Sequence, residues 1–207
     1  MVMQTINKTV SANEKITEIL THQNGIIDVT VNENATYELF LLLFGQDLKV
    51  NVCLNGKNAS CALKCVYLST TQNNNNIKFD VNHKFGETKS SQVIKGVVAK
   101  SGKTSFYGVI RMPHNSQKCE GGQDHKALLL SDNASVECVP ELEIYADDVK
   151  CNHGSSIGTL DKTQLFYLMS RGIDEKTAKQ MLIKAFLLSD MPDVFEKEIN
   201  EWMDANE

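Results

Sequence analysis

Pro140-Glu141-Leu142-Glu143-Ile144-Tyr145-Ala146-Asp147-Asp148-Val149-Lys150-Cys151-Asn152-His153-Gly154 runs on, a few residues later, into Leu160 to Ile173 (LDKTQLFYLMSRGI). The run ends a strand-like stretch and precedes a helical one. Near its end a cysteine and a histidine stand two residues apart. A thiolate and a neutral imidazole are ligands that iron and zinc favour. On an extended strand, residues i and i+2 point to the same side, so Cys151 and His153 can face one site. Gly154 beside them permits close backbone approach. The spacing alone equally fits a buried structural cysteine beside a hydrogen-bonded histidine.

Upstream, residues 14 to about 158 consist of short apolar and β-branched runs separated by Gly, Asn and Asp. The runs are Ile26–Val31, Tyr37–Phe44, Leu48–Leu54, Ala62–Leu68, Ile77–Val81, Gln92–Ala99, Ser105–Met112, Ala127–Leu130 and Leu142–Tyr145. Several alternate with period two, as in Lys49-Val50-Asn51-Val52-Cys53-Leu54, which is strand periodicity. Turn signals stand between them at Asn24-Gly25, Asn55-Gly56, Asn73 to Asn76, Ser101-Gly102 and Gly121-Gly122. Many short strands mean a sandwich, a barrel or a β-solenoid, and periodicity does not choose among them. No fixed-length repeat is evident, which disfavours a regular solenoid. Asn73–Asn76 reads as a surface loop, and Ser11 to Leu20 as one short helix.

Downstream the pattern turns helical. Asp161 can cap a helix with Gln164 three residues on, Leu165, Phe166, Leu168 and Met169 form its apolar side, and Gly172 stops it. Asp174 caps a second helix with Ala178, Met181, Leu182, Ala185 and Phe186 at helical spacing. Near Pro192 a third begins, with Phe195, Ile199, Trp202 and Met203 on one stripe. Such helices need something to pack on. Composition divides the chain into a short N-terminal segment (1–20), a β core (21–158) and a helical subdomain (159–207).

The 207 residues carry a formal net charge of −5, against nucleic acid as main partner. Four of those charges fall in residues 161–207, which hold 6 Lys+Arg and 10 Asp+Glu; an acidic tail of this kind is usually a solvated helix face. The apolar run Leu39–Phe44 is too short to span a bilayer, and the first residues lack the apolar core of a secretory signal. The expectation is a cytoplasmic protein, its six cysteines reduced and its four Asn-x-Ser/Thr sequons without significance. Phosphate-loop, dinucleotide and His-Glu-x-x-His signatures are absent, so no enzyme is expected.

Taken whole, the Pro140–Gly154 run, with Leu128-Leu129-Leu130-Ser131-Asp132-Asn133-Ala134 before it and Leu165-Phe166-Tyr167-Leu168-Met169-Ser170-Arg171-Gly172-Ile173 after it, resembles the SufB/SufD family of iron–sulfur cluster assembly scaffolds, and SufD more than SufB. A weaker likeness covers Asp80 to Met112. Family members are usually longer and carry an N-terminal helical region.

The resemblance implies a mostly β chain, a right-handed parallel β-helix core with a C-terminal α-helical subdomain. It implies pairing with a SufB-like or identical subunit, docking of a SufC-type ATPase, and a transient iron–sulfur cluster at the subunit interface, where His153 would be a nitrogen ligand and Cys151 a sulfur ligand or relay. Cys61, Cys65 and Cys138 are candidates for sulfur handling. Cys61 and Cys65, four apart on a strand, stand about 13 Å apart and cannot share a metal; packed core thiols are the plain alternative. Phe166, Arg171, Gly172, Met181 and Phe186 are carried over as the ATPase-docking surface, the alternative being that the helices cap the open end of the β-helix. His83, His114, His125 and Cys119 read as loop residues, with Cys119 to His125 a weak metal-ligand candidate. Besides the cluster scaffold, two readings stay open: an interaction subunit of the same machinery that holds no cluster, and a zinc- or iron-dependent enzyme on a β-solenoid.

Overall fold

In the computed structural model, which describes residues 4–189 and 191–206, the alternation seen in the sequence becomes two six-stranded parallel sheets facing each other. One holds β1 (Thr5–Val10), β3 (Gly25–Val31), β5 (Asp47–Leu54), β7 (Asn75–His83), β9 (Lys103–Met112) and β11 (Ser135–Ile144) in that order. The other holds β2 (Lys15–Thr21), β4 (Thr36–Leu43), β6 (Ser60–Ser69), β8 (Lys89–Val98), β10 (Glu120–Leu129) and β12 (Lys150–Gly158). Each strand pairs with the strand two further along the chain, so successive odd–even pairs form stacked coils, a parallel β-helix-like core. The coils lengthen along the chain: Thr5 pairs with Ile26, 21 residues on, whereas Lys103 pairs with Ser135, 32 residues on. That drift hides the repeat from a fixed-period search.

Period-two side chains explain the core. In β5, Leu48, Val50, Val52 and Leu54 point inward and are buried, while Lys49, Asn51 and Cys53 point out. At the turns between odd and even strands, Asn13, Asn34, Asn58, Glu87 and Lys118 adopt φ of 55–64°, a conformation in which Asn is favoured. The asparagines stack: Asn58 Nδ2 donates to Asn34 Oδ1 at 2.9 Å and Asn34 Nδ2 to Asn13 Oδ1 at 3.3 Å.

The first coil occupies the segment expected to be a short N-terminal piece with a helix at Ser11–Leu20; β2 stands there instead. Nor is Asn73–Asn76 a loose loop. Asn75 is buried at the start of β7, its Oδ1 accepting from Gly45 N and Gln46 N (2.8 and 2.9 Å) and its Nδ2 donating to Leu68 O and Ser69 Oγ (3.0 and 2.8 Å).

Three helices follow: α1 (Lys162–Ser170), α2 (Glu175–Leu188) and, after a 3-10 turn at Asp193–Phe195, α3 (Glu196–Asn206). Asp161 caps α1 by accepting from Thr163 N at 2.7 Å, Asp174 caps α2 by accepting from Thr177 N at 3.0 Å, and Gly172 at φ +87° ends α1. The helices do not cap the end of the coil stack. They lie along the outer face of the even sheet, where Ile183, Leu187, Phe195, Ile199, Trp202 and Met203 bury Leu42, Val66, Leu68, Val97 and Ala99. The face of α2 that packs is Ala178, Ile183 and Leu187; Met181 and Ala185, expected in the apolar stripe, are exposed. α1 buries no residue. Among the described residues no helix is long and apolar enough to cross a membrane.

Candidate functional site

Among the described residues β12 is the last strand of the even sheet, paired on one side only. Its register with β10 sets Cys151 beside Gly121, His153 beside Gln123, Ser155 beside His125 and Ile157 beside Ala127. Gln123, His125 and Ala127 are buried inside the coil, so Cys151, His153, Ser155 and Ile157 share the inward side of the strand. Gly121 makes room for the thiol: a Cβ there would lie 3.1 Å from Cys151 Sγ. Cys151 is half-buried and burial raises its pKa, partly offset by a backbone hydrogen bond at Asn152, so the free side chain is a thiol near neutral pH. His153 is exposed.

Opposite, β11 ends the odd sheet with Val136, Cys138, Pro140 and Leu142 half-buried on the same inward side. No further coil covers these two strands among the described residues, so Cys138 on β11 and Cys151 and His153 on β12 share one uncovered end face without forming a cluster of donors. Burial raises the Cys138 thiol pKa, and a hydrogen bond from Ser155 lowers it. Ser155 Oγ also lies 3.5 Å from His125 Nδ1.

Beneath this face the interior changes character. The middle coils are filled mainly by Val, Leu, Ile and Phe; the last ones hold Ser90, Gln92, Gln123 and His125. Tyr67 reaches across Gly96 to place its hydroxyl 3.0 Å from His125 Nε2, and Phe106 stacks on that imidazole at 5.2 Å. Burial pushes His125 down to about 4, so it is neutral. Both amide atoms of Gln92 and of Gln123 are buried with no hydrogen-bond partner among the described residues. An unpaired buried amide group costs about 1–3 kcal/mol.

Other expected site residues fall elsewhere. Cys61 and Cys65 point inward on β6, three strands from β12, and burial raises Cys61 to about 12 and Cys65 further. They sit in the apolar core and do not meet the end face. Phe166, Arg171, Gly172 and Met181 are exposed on the α1–α2 hairpin, Arg171 lying 5.2 Å over the Tyr167 ring; Phe186 is half-buried, 5.9 Å from Lys95 Nζ.

The presumed loop from Cys119 to His125 is mostly strand β10. Cys119 is buried with its thiol donating to Phe85 O at 3.2 Å, and His83 bonds Thr88 Oγ1 and Ser90 Oγ, each at 2.8 Å. His114 packs on Tyr145. None of these is assembled as a metal site: among the described residues no group of three His, Cys, Asp or Glu side chains is placed to hold an ion. Gln123 and Ser155, which touch the site, were not singled out from sequence. Their signal was the shared parity with His153, obscured by a Gly-Gly-Gln-Asp stretch that reads as a turn.

The chain matches the family model described as SUF system FeS cluster assembly, SufBD core domain, over residues 10–186. It is 35% identical over 170 residues to the iron–sulfur cluster assembly protein SufD of Escherichia coli, an alignment covering 81% of this chain and 40% of that protein. It is 34% identical over 125 residues to the SufD of Bacillus subtilis (60% and 28%), and 45% identical over 98 residues to the chloroplastic protein ABCI7 of Arabidopsis thaliana (47% and 21%). The matched region thus spans well under half the length of these relatives. A likeness that runs through both sheets and into α2 is one of the whole core, and the chain belongs to the SufB/SufD family of SUF-system iron–sulfur cluster assembly proteins.

Proposed function

We propose that the chain is a SufD-like scaffold subunit that builds an iron–sulfur cluster, as cargo, on the uncovered end face of its last coil. The observation that carries this is the inward pairing of Cys151 and His153 on a strand with a free edge. A second subunit, SufB-like or identical, would add its own edge strand there and supply the remaining ligands, since this chain offers too few donors at one place to hold a cluster alone. Cys151 would be deprotonated as iron binds. Cys138 on the same face is better placed for sulfur handling than the buried Cys61 and Cys65. The exposed α1–α2 surface of Phe166, Arg171, Gly172 and Met181, with Phe186 at its margin, would dock a SufC-type ATPase. The chain itself performs no catalysis and works in the cytoplasm, apart from nucleic acid and membrane.

Anaerobic cluster assembly with the partner subunits tests the ligand assignment. His153→Ala and Cys151→Ser are expected to lose most of the cluster absorbance while keeping the β-sheet circular dichroism. Wild-type yield in both would refute it. For docking, Phe166→Ala and Arg171→Glu in a pull-down against the ATPase are sounder than deleting residues 159–207, which would strip the cover from Leu42, Val66, Leu68 and Val97. The scarcity of donors also favours a second reading, an interaction subunit of the same machinery that holds no cluster. Retained complex formation with cluster yield unaffected by both ligand variants would select it.

A further inference from the structure

We infer that Gln123 is a positioning residue for the His153 imidazole, accepting a hydrogen bond from one ring N–H and so fixing which nitrogen faces outward. The inference rests on the reading of His153 as the functional group of the end face.

Gln123 and His153 are register partners on adjacent parallel strands and share the inward side. Gln123 is 2% exposed, and neither its oxygen nor its nitrogen has a partner among the described residues. It already spans the interior to the opposite sheet, where a Cβ on Gly108 would come within 2.3 Å of Oε1. Pro140, which has no N–H to donate, stands over Gly108 in the next layer. On the even side that same layer holds His153, whose imidazole can offer an N–H to the amide oxygen. Imidazoles that serve as ligands almost always donate their second N–H to a fixed acceptor, which sets the tautomer. Gln92, whose amide is likewise buried and unpartnered among the described residues, stands in the same register column one coil deeper, so Gln123 separates it from His153.

Long-range proton–nitrogen spectra of the metal-free chain, with His153 assigned by its loss in His153→Gln, read the tautomer directly. One tautomer is expected to dominate in the wild type. Gln123→Met, of similar shape but without the acceptor, should return His153 to the mixture of a free imidazole. Gln92→Met should leave it as in the wild type. Gln123→Glu keeps an acceptor oxygen and should keep the dominant tautomer, which covers the case in which the methionine variant fails to fold. Equal tautomer populations in wild type and Gln123→Met, or a wild type already at the free mixture, overturn the inference. Cluster yield is the second readout. Gln123→Met should lower it about tenfold, whereas normal yield in His153→Ala would refute the ligand reading and leave the tautomer result standing by itself.

Discussion

Replacing Asn75 with alanine should remove a large share of the stability of this fold. The side chain is 2% exposed and makes four hydrogen bonds, two accepted from Gly45 N and Gln46 N and two donated to Leu68 O and Ser69 Oγ. It thereby joins the turn before β5 to the end of β6. Truncation leaves two backbone N–H groups and one carbonyl without their partner; Ser69 Oγ keeps Thr104 Oγ1 at 2.6 Å. At about 1 kcal/mol net for each bond, the loss is near ~4 kcal/mol, against a typical total of roughly 5–15 kcal/mol. With a urea slope of about 2 kcal/mol per molar, the unfolding midpoint should fall by about 2 M. Asn75→Asp keeps the acceptor for both N–H groups but sets an oxygen against Leu68 O, so it should lie between alanine and wild type. A loss below about 1 kcal/mol in Asn75→Ala, with unchanged slope, would show that water replaces the amide and that the join is not structural.

Gly96→Ala should cost about 1–3 kcal/mol by overpacking, because its Cβ would fall 1.9 Å from Tyr67 Cζ; adding Tyr67→Val should recover part of that loss, and no recovery would argue against the collision. Acidification should destabilise the fold through His83 and His125, both pushed by burial from 6.5 to about 4. The unfolded chain binds more protons in that interval, so stability falls as pH drops from about 6.5 to about 4, by about 3 kcal/mol for each histidine. Urea midpoints across that range check it, and His83→Gln should flatten the slope. Alkylation of the native chain, read by mass spectrometry, should spare Cys61 and Cys65, whose thiols burial holds up, while slowly labelling Cys138 and Cys151; modification of Cys61 before Cys138 would contradict the burial argument.

Strand alternation made most of the core legible, because Leu48, Val50 and Val52 or Ile77, Phe79 and Val81 are apolar on one side only. The first coil was missed for the opposite reason. It puts Lys8 and Glu18 inward, where they pair with each other and where Tyr37 donates to Glu18 at 2.6 Å; charged residues at inward positions erase the pattern. Two of the four sequons carry the repeat: Asn34-Ala35-Thr36 and Asn58-Ala59-Ser60 each turn into an even strand, one coil apart, with the alanine buried, whereas Asn133-Ala134-Ser135 makes the turn into the odd strand β11. In the site, Cys151 and His153 could be picked by parity. Gln123 shares that parity but stands in a Gly-Gly-Gln-Asp stretch that reads as a turn, and His125 reads as a loop residue, because a polar interior looks like a loop when only hydropathy is read. On α2, Met181 and Ile183 are both apolar, and only the position of the sheet decides which is covered.

Although the coils lengthen from 21 to 32 residues, every strand pairs only with the strands of the adjacent coils. Cohesion is therefore a chain of nearest-neighbour couplings, as in other stacked-repeat proteins. A lesion in one coil weakens its two neighbours and little beyond. Among the described residues a terminal coil has a neighbour on one side alone, so β1–β2 and, at the site end, β11–β12 open more easily than the coils between them. Whatever seats itself on that edge adds the missing coupling, so that assembly and the ordering of Cys151 and His153 become one thermodynamic event.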